Sequence, residues 1–280
     1  MFRFVSVVFG AAFWVAIAFI LQIVSPLERD ALADDGSGAE TANGPAPITV
    51  VELFTSQGCS SCPPADKVLA AVAERENVIA LSWAVDYWDY LGWKDTFSDV
   101  RYSKRQRAYA RTFNNYSVYT PQIVVDGEAE IVGSRRSGVN ALIHTFSEKK
   151  DAVEVALQLR NDDELDIKLK PVGKAGTKDA LVRLVWFDKS QDVKVARGEN
   201  GGRSLKYTHV VRGTKLIGNY KRKAVDFIVP LADAPQSEAT DRGLAVLVQQ
   251  GKAGKILGAQ MISLTQPKVG GRQSGTTIFP

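Results

Sequence analysis

The chain reads Phe54-Thr55-Ser56-Gln57-Gly58-Cys59-Ser60-Ser61-Cys62-Pro63-Pro64 around its only two cysteines. An apolar run from Ile48 to Phe54 leads into this stretch, and a helix-like segment from Ala65 to Ala73 follows it. A strand, a tight turn, Cys-x-x-Cys and a helix together favour a reactive thiol, because free N–H groups at a helix N-terminus stabilise a thiolate. The stretch therefore predicts both the local fold and the place where chemistry would occur.

Length and composition limit the classes of protein that the chain can be. Its 280 residues suffice for two ordinary domains, and 45% hydrophobic with 24% charged residues is typical of a globular protein. The net charge is +4, with no long Lys/Arg block and no basic–aromatic stripe. Nucleic acid is therefore not expected among the partners.

The N-terminus has the pattern of an export or membrane-attachment segment. Phe4 to Val24 is almost wholly apolar. Residues 1–33 are expected to be either a signal peptide cleaved after Ala31-Leu32-Ala33 or a retained anchor, since about 20 apolar residues can span a bilayer. Both alternatives place the rest of the chain in the periplasm or in the medium, and a retained anchor would attach it to the inner membrane through residues 4–24. Residues 34–47, rich in Gly, Ala, Asp and Pro, are expected to be a flexible linker.

Residues 48–150 are predicted to form an α/β domain with a mixed sheet, in the order βαβαββα. After the first strand and helix, the elements are expected at Val78 to Val85, Ser98 to Phe113 with Ser98 as N-cap, Gln122 to Val125, Ala129 to Val132 and Ser137 to Phe146. Asp126-Gly127 between two strand-like runs indicates a hairpin. The second helix is expected to present a solvated basic face, made of Arg101, Lys104, Arg105, Arg107 and Arg111. The alternative is a docking face for acidic partners or lipid headgroups.

Residues 151–268 are predicted to form a mostly-β, sandwich-like domain, followed by a flexible tail at 269–280. Short apolar or alternating segments recur between Gly, Asp, Asn and Pro, at Val153 to Leu159, Leu165 to Lys170, Leu181 to Phe187, Lys206 to Val211, Ala224 to Val229, Leu244 to Val248 and Ile256 to Ile262. Many short strands at such spacing are typical of a β-sandwich.

The order βαβαββα with Cys-x-x-Cys after the first strand resembles the thioredoxin fold. Tyr119-Thr120-Pro121-Gln122 places a proline directly before a strand, where thioredoxin-like proteins carry a cis proline packed against the dithiol. Residues 52–66, 85–89 and 197–203 are similar to a family of exported bacterial proteins known as domain of unknown function 1223. The resemblance covers residues 48–264, and it implies a fold but no established reaction. The chain departs from thioredoxin in the Ser-Ser pair between its cysteines and in Gly58 before them.

Cys59 and Cys62 are the candidate catalytic pair, with Cys59 as nucleophile, Cys62 as resolving thiol and a disulfide between them when oxidised. An inert disulfide and a metal site are the alternatives. A bridge that closes so short a loop removes little chain entropy, which favours redox use over a structural role. A closed zinc site needs four ligands, and the only histidines, His144 and His209, lie in different predicted domains. No metal is therefore expected, unless the two thiolates hold Cu(I).

Three further residues are candidates for supporting roles. Pro121 and Thr120 would shape the groove where a substrate backbone docks, and the alternative is a simple proline at a strand start. Glu52 lies on the first strand, where the resemblance to thioredoxin implies a buried carboxylate that helps proton transfer to the resolving cysteine. A buried carboxylate is costly unless it is paired or neutral, and by strand alternation Glu52 could instead face a pocket or solvent.

Trp88 and Trp93 belong to an unusually aromatic segment, residues 86–93. They could form a wall beside the dithiol that receives an apolar peptide or small molecule. The alternative is a loop packed on the core or on the second domain. The Gly-rich stretch 197–203 lacks the spacing of a phosphate-binding loop and is expected to be structural.

Together these patterns predict an exported protein that exchanges disulfides with protein thiols or disulfides outside the cytoplasm, without a cofactor. One alternative is a copper-binding or copper-delivery module that uses the same two cysteines. The other is a non-catalytic scaffold or binding protein with a thioredoxin-like fold.

Overall fold

Strands and helices alternate at first, and strands with a short 3₁₀ helix at Leu231–Asp233 follow, in the computed structural model, which describes residues 47–149, 152–160, 163–173 and 178–265. The alternating part comprises β1 (Thr49–Thr55), α1 (Pro63–Ala73), β2 (Val78–Ala84), α2 (Val100–Thr112), β3 (Gln122–Val125), β4 (Ala129–Val132) and α3 (Arg136–Ser147). The strands that follow are β5 (Val153–Arg160), β6 (Glu164–Pro171), β7 (Ala180–Lys194), β8 (Ser204–Tyr220), β9 (Val225–Pro230), β10 (Asp241–Gln249) and β11 (Ile256–Thr265).

The predicted N-terminal segment and tail, residues 1–33 and 269–280, lie outside the described residues, as does the predicted linker except for Pro47. Within the described ranges, no helix combines the length and the apolar character needed to cross a membrane.

The strands form two sheets. Eight strands lie in the order β11-β10-β7-β8-β2-β1-β3-β4, and the other sheet has the order β5-β6-β9. The larger sheet is mixed, because β1 is parallel to β2 and antiparallel to β3. β8 joins β2 through one parallel pair, Ser82 opposite Val210. The structure is therefore a mixed α/β protein rich in strands, and strands from both predicted domains share one sheet.

β1 is a central strand, because all seven of its residues are buried. Its β-branched and apolar sequence is typical of a strand covered on both faces. On one face, Val51 and Leu53 share a core with residues of α1 and α3. On the other face, Val50 and Phe54 share a core with Tyr109 of α2. The turn that carries the two cysteines therefore leaves the sheet from its interior.

α1 begins at Pro63, two residues before the predicted start at Ala65. Pro63 and Pro64 occupy the first turn, where the missing N–H groups of proline cost nothing because that turn has no intrahelical acceptors for them. Val68, Leu69 and Val72 of this helix are buried. The two prolines after Cys62 thus start the helix directly behind the cysteine pair.

α2 begins at Val100, and its N-cap is Asp99. The Asp99 carboxylate accepts a hydrogen bond from the N–H of Arg101 at 2.7 Å. The prediction that Ser98 caps this helix is therefore wrong, and the Ser98 hydroxyl donates instead to the carbonyl of Asp95 at 3.1 Å.

Each strand predicted after residue 151 is present. β7 and β8 are longer than predicted, because β7 continues through polar residues to Lys194 and β8 continues beyond Val211 to Tyr220. Apolar residues of β5, β6 and β9 share a core with residues of β7, β10 and β11, among them Leu165, Val182 and Leu244. The smaller sheet thus packs on one end of the larger one.

The predicted hairpin at Asp126-Gly127 is confirmed, because β3 and β4 pair with Val125 opposite Ala129. We expect Gly127→Ala to lower the free energy of unfolding by about 2 kcal/mol or more. Gly127 has a φ of +67°, and a Cβ added there would overlap the carbonyl oxygen of Gly254. Urea unfolding of wild type and variant measures the difference.

Gly251→Ala is the matched control, because Gly251 has a φ of +58° but no atom within 4 Å of an added Cβ. It should cost only about 1 kcal/mol, the backbone part of the effect. Equal losses in the two variants would show that the turn can move away from Gly254.

Candidate functional site

Cys59 and Cys62 form a disulfide bond, with their Cα atoms 5.4 Å apart. The turn is closed by the N–H of Cys62, which donates to the carbonyl of Cys59 at 3.2 Å. Cys62 is the N-cap residue of α1, so the disulfide lies at the N-terminus of this helix. Neither cysteine has exposed surface, although Ser60 and Ser61 between them are exposed. The two predicted cysteines therefore form a disulfide, and this disulfide is buried.

Trp88 connects the cysteine turn to the segment before β3. Its indole N–H donates to the hydroxyl of Thr120 at 2.8 Å. A Cβ added at Gly58 would lie 3.2 Å from the Cβ of Trp88, so the tryptophan packs directly on the turn. The Thr120–Pro121 peptide bond is cis, as predicted, and Pro121 is buried. Trp88 thus links the predicted supporting segment to the residue before Cys59.

Gln57, which the sequence analysis did not single out, joins the cysteine turn to residues 93–96. It is buried, and its side-chain oxygen accepts from the indole N–H of Trp93 at 2.8 Å. Its Nε2 donates to the hydroxyl of Thr96 at 2.9 Å, and its backbone N–H donates to Asp95 at 2.7 Å. Because both tryptophans donate their indole N–H groups to neighbouring side chains, both rings are held beside the turn.

Asn200 joins the cysteine turn to the loop between β7 and β8, which we call the 197–203 loop. Asn200 has no exposed surface. Its Nδ2 donates to the carbonyl of Gln57 at 3.0 Å and to the carbonyl of Cys59 at 2.9 Å. The sequence analysis expected this loop to be structural and did not predict its contact with the cysteine turn. Its similarity to the family stretch at 197–203 was the one signal that could have singled Asn200 out.

Glu199 makes a second contact from the same loop. Its carboxylate accepts a hydrogen bond from the backbone N–H of Ser60 at 3.1 Å. Hydrogen bonds from the Ser60 hydroxyl and backbone lower the pKa of this exposed Glu199 carboxyl. Ser60, one of the two residues between the cysteines, is therefore held by a side chain that lies 139 positions later in the chain.

Glu52 is buried in an ion pair. Its carboxylate accepts two hydrogen bonds from the guanidinium of Arg105, at 2.7 and 2.9 Å, and one from the hydroxyl of Tyr109. Burial pulls the pKa of Arg105 down, but the Glu52 carboxylate outweighs this effect and the pKa is raised. Strand alternation places Glu52 on the face of β1 that packs against α2, away from α1 and the disulfide. Its role in proton transfer stays a prediction.

The buried position of Arg105 corrects the expectation that it belongs to a solvated basic face. The other basic residues of this face are exposed, namely Arg101, Lys104, Arg107 and Arg111. Arg105 points inward because its charge is balanced there by Glu52, and its guanidinium also lies 5.0 Å from the centroid of the Trp83 ring. The pair fixes α2 to the centre of the sheet.

Two other buried carboxyl groups lie next to the cysteine turn. Asp66, in the first turn of α1, accepts a hydrogen bond from the hydroxyl of Thr55 at 2.9 Å. Asp95 accepts the hydrogen bond from Gln57 and another from the N–H of Phe97 at 2.8 Å. Burial raises the pKa of Asp66 to about 8 and that of Asp95 to about 6. The sequence analysis missed both. An acidic residue in the first turn of a helix, such as Asp66, is common for reasons of helix stability alone, and Asp95 lies in the loop before α2.

The two histidines considered as zinc ligands have separate surroundings. His144 on α3 is exposed and lies 3.7 Å from Glu148. On β8, the Nδ1 of His209 lies 2.9 Å from the carbonyl oxygen of Ala80. In the part of the chain that the structure describes, no group of three or more His, Cys, Asp or Glu side chains is arranged to hold a metal ion.

Fold and site together define a mixed α/β protein with a buried disulfide at a helix N-terminus. The family model described as "Protein of unknown function (DUF1223)" matches residues 50–249. The match spans most of the chain, and the chain belongs to this family.

Solved structures include a relative. Protein AGR_C_4864 from Agrobacterium tumefaciens is 30% identical, with a TM-score of 0.69, over 80% of this chain and 97% of its own. A β-glucosidase from Kluyveromyces marxianus is 16% identical over 41% of this chain and 14% of its own, and its TM-score of 0.22 carries no argument. No curated protein matches the chain. The relatives therefore identify the family and leave the reaction to be inferred from the site.

Proposed function

We propose that the protein exchanges disulfides with other proteins through Cys59 and Cys62. The observation that carries the proposal is a disulfide at the N-terminus of a helix, directly after a central strand. The N–H groups of a helix N-terminus favour the thiolate, which is the reactive form. A bridge across a sequence separation of 3 adds little to the stability of the fold, so a structural role explains it poorly.

The proposal includes a division of the chain into two domains. Residues 48–150 are assigned to a thioredoxin-like domain, which the order β1-α1-β2-α2-β3-β4-α3 supports. Residues 151–268 are assigned to a sandwich-like domain, which the packing of the smaller sheet on β7, β10 and β11 supports.

The exchange needs only the two sulfurs and a client protein. The Cys59 thiolate attacks one sulfur of a client disulfide, which forms a mixed disulfide and releases one client thiolate. The Cys62 thiolate then attacks the Cys59 sulfur, which forms the internal disulfide and releases the second client thiolate. The client gains two electrons and two protons, and the dithiol loses them. A client dithiol reacting with the oxidised protein makes and breaks the same bonds in the opposite order.

Asp66 is better placed than Glu52 to exchange a proton with Cys62. It lies one helical turn after Cys62, on the same face of α1, and its backbone N–H donates to the Cys62 carbonyl at 3.1 Å. Burial raises the pKa of Asp66 to about 8, close to the value of about 8.5 that is usual for a thiol. Two groups with similar pKa values can pass a proton in either direction near neutral pH.

We place this exchange outside the cytoplasm, with protein thiols or disulfides as the partners. The apolar segment from Phe4 to Val24 is the basis for this location. An oxidising compartment would also keep the Cys59–Cys62 pair in the disulfide form that the structure contains.

Cys59→Ser should abolish exchange, reducing the rate by roughly a hundredfold or more, because the nucleophile is lost. Cys62→Ser should instead accumulate a mixed disulfide, because Cys59 can still attack but nothing resolves the product. The assay incubates the protein with a glutathione couple and a scrambled disulfide protein, and follows mixed disulfides by mass spectrometry.

Ser134→Ala is the matched control, because it removes an exposed hydroxyl outside the cysteine turn. It should exchange at nearly the wild-type rate. A wild-type protein that does not exchange but binds Cu(I) tightly would favour the copper module. A protein that does neither would favour the scaffold.

A further inference from the structure

The 197–203 loop is built as a single rigid piece. At its base, the N–H of Val195 donates to the carbonyl of Arg203 at 2.9 Å, and the N–H of Gly202 donates to the carbonyl of Val195 at 2.8 Å. At its tip, the guanidinium of Arg203 donates to the side-chain oxygen of Asn200 at 2.7 Å. The Asn200 amide is therefore aimed by its own loop, with its Nδ2 turned towards the cysteine turn.

The loop is attached to the rest of the protein near its tip. Asn200 and Glu199 provide the polar contacts, to the backbone of residues 57–60. Gly198 provides close packing, since a Cβ added there would lie 3.3 Å from the Cβ of Trp93. The tip of the loop can therefore separate from the turn only if the hydrogen bonds of Asn200 and Glu199 break.

Cys59 is reactive only if a thiol can reach its sulfur. An attacking thiolate must approach a disulfide sulfur directly, and access is one of the factors that set the rate. Both cysteines have no exposed surface, and the carbonyl of Cys59 is itself bonded to Asn200. The closed arrangement therefore protects the disulfide from thiols in solution.

We propose that the 197–203 loop is an autoinhibitory lid over the Cys59–Cys62 disulfide, and that the bond reacts only after Asn200 and Glu199 release the turn. The biological use of the lid rests on the proposed exchange function. Its effect on reduction by a simple thiol or phosphine does not.

The contacts of the lid also indicate the kind of partner that opens it. Asn200 satisfies two backbone carbonyls of the turn, and Glu199 satisfies the backbone N–H of Ser60. An extended polypeptide segment offers the same N–H donors and carbonyl acceptors along its backbone. A client segment can therefore replace the hydrogen bonds of the lid while it brings its own sulfur to Cys59, whereas a small thiol cannot.

Asn200→Asp should open the lid. The substitution keeps the shape of the side chain but turns a carboxylate oxygen towards two carbonyl oxygens in place of the Nδ2 donor. Losing two hydrogen bonds of ordinary strength corresponds to a change of roughly ten- to a hundredfold in the population of the open state. We expect reduction of the oxidised full chain by dithiothreitol at pH 8 to accelerate by that factor, measured by trapping the free thiols with an alkylating reagent.

The pH dependence separates lid opening from a general loss of structure. At low pH the carboxyl group that Asn200→Asp introduces becomes protonated and can again donate one hydrogen bond to a carbonyl. With a phosphine reductant, which acts in acid, the acceleration in Asn200→Asp should therefore shrink as the pH falls from 7 to 4. Hydrogen exchange at the Ser60 amide should quicken in Glu199→Ala and Asn200→Asp alike, with the melting transition still cooperative.

Arg197→Ala is the matched control, because Arg197 is an exposed residue of the same loop. It should be reduced at the wild-type rate. If folded Asn200→Asp and a Glu199→Ala/Asn200→Asp double variant are also reduced at the wild-type rate, the loop is not a lid. A rate that rises only in proportion to global unfolding in urea overturns the proposal as well. If the open variants are reduced quickly but do not exchange with a protein disulfide, the lid stands and the proposed exchange function falls.

Discussion

Asp66→Asn is expected to gain stability relative to wild type as the pH rises from 4 to 7, by about 4 kcal/mol across that range. Burial raises the pKa of Asp66 from 3.8 to about 8, against a smaller opposing effect of the hydrogen bond from Thr55. In the unfolded chain the carboxyl ionises near its ordinary pKa, so the folded state binds one more proton between these two pKa values. The contribution of protonated Asp66 to the free energy of unfolding of the wild type is fully present below pH 3.8, and it is lost as the pH rises towards 8.

The measurement is urea unfolding of both proteins at pH 4, 5.5 and 7. Asparagine keeps an acceptor for the Thr55 hydroxyl but does not ionise, so the pH-dependent loss disappears in the variant. The exposed carboxyl of Asp192 on β7 provides the control, and Asp192→Asn should not change the slope. An identical difference between wild type and Asp66→Asn at all three pH values would mean that Asp66 is ionised in the folded protein.

Glu52→Ala is expected to lower the free energy of unfolding by about 3–5 kcal/mol, and Arg105→Ala by a similar amount. Each change leaves the partner charge buried without its counter-ion, since the two side chains are only 1% and 5% exposed. Equilibrium unfolding in guanidinium chloride measures both losses. The double variant Glu52→Leu/Arg105→Met should lose less than either single variant, because it leaves no unpaired charge.

Lys215→Ala tests whether the loss follows from burial. Lys215 pairs with Asp233 at 2.6 Å, but the two side chains are 51% and 41% exposed, so this change should cost less than about 1 kcal/mol.

Glu52→Gln bears on the predicted role of Glu52 in proton transfer. A shifted pH profile of thiol exchange with unchanged stability would support that role, and a stability loss with an unchanged profile would assign Glu52 to the fold alone.

The cysteine turn and its flanking elements are predictable because they are determined by neighbours in sequence. The β-branched run before Phe54 indicates the central strand, and the two prolines after Cys62 suit the first turn of a helix. Asp126-Gly127 likewise indicates its hairpin, since both residues adopt positive φ. Local sequence determines backbone conformation at each of these places.

The contacts that Asn200 makes with the cysteine turn and that Arg105 makes with Glu52 could not be predicted, because they join residues that are distant in sequence. The position of Asn200 follows from the pairing of β8 with β2, and nothing near residue 200 indicates which strand β8 will join. The inward position of Arg105 depends on a carboxylate 53 residues earlier. Hydrophobic periodicity shows which face of a helix is apolar, but it assigns a charged residue to solvent unless its buried partner is known.

The separation along the chain of the groups around Cys59 has a consequence for the order of folding. The two cysteines are 3 residues apart, whereas Asn200 and Cys59 are separated by 141 residues. Contacts between distant segments form late, because closing a long loop costs more chain entropy than closing a short one. The thiols can therefore meet an oxidant while the chain is still folding, before β8 joins β2 and brings Asn200 to the turn. Under the proposed lid, the completed fold then keeps the oxidation state that the nascent chain acquired until a client opens the lid.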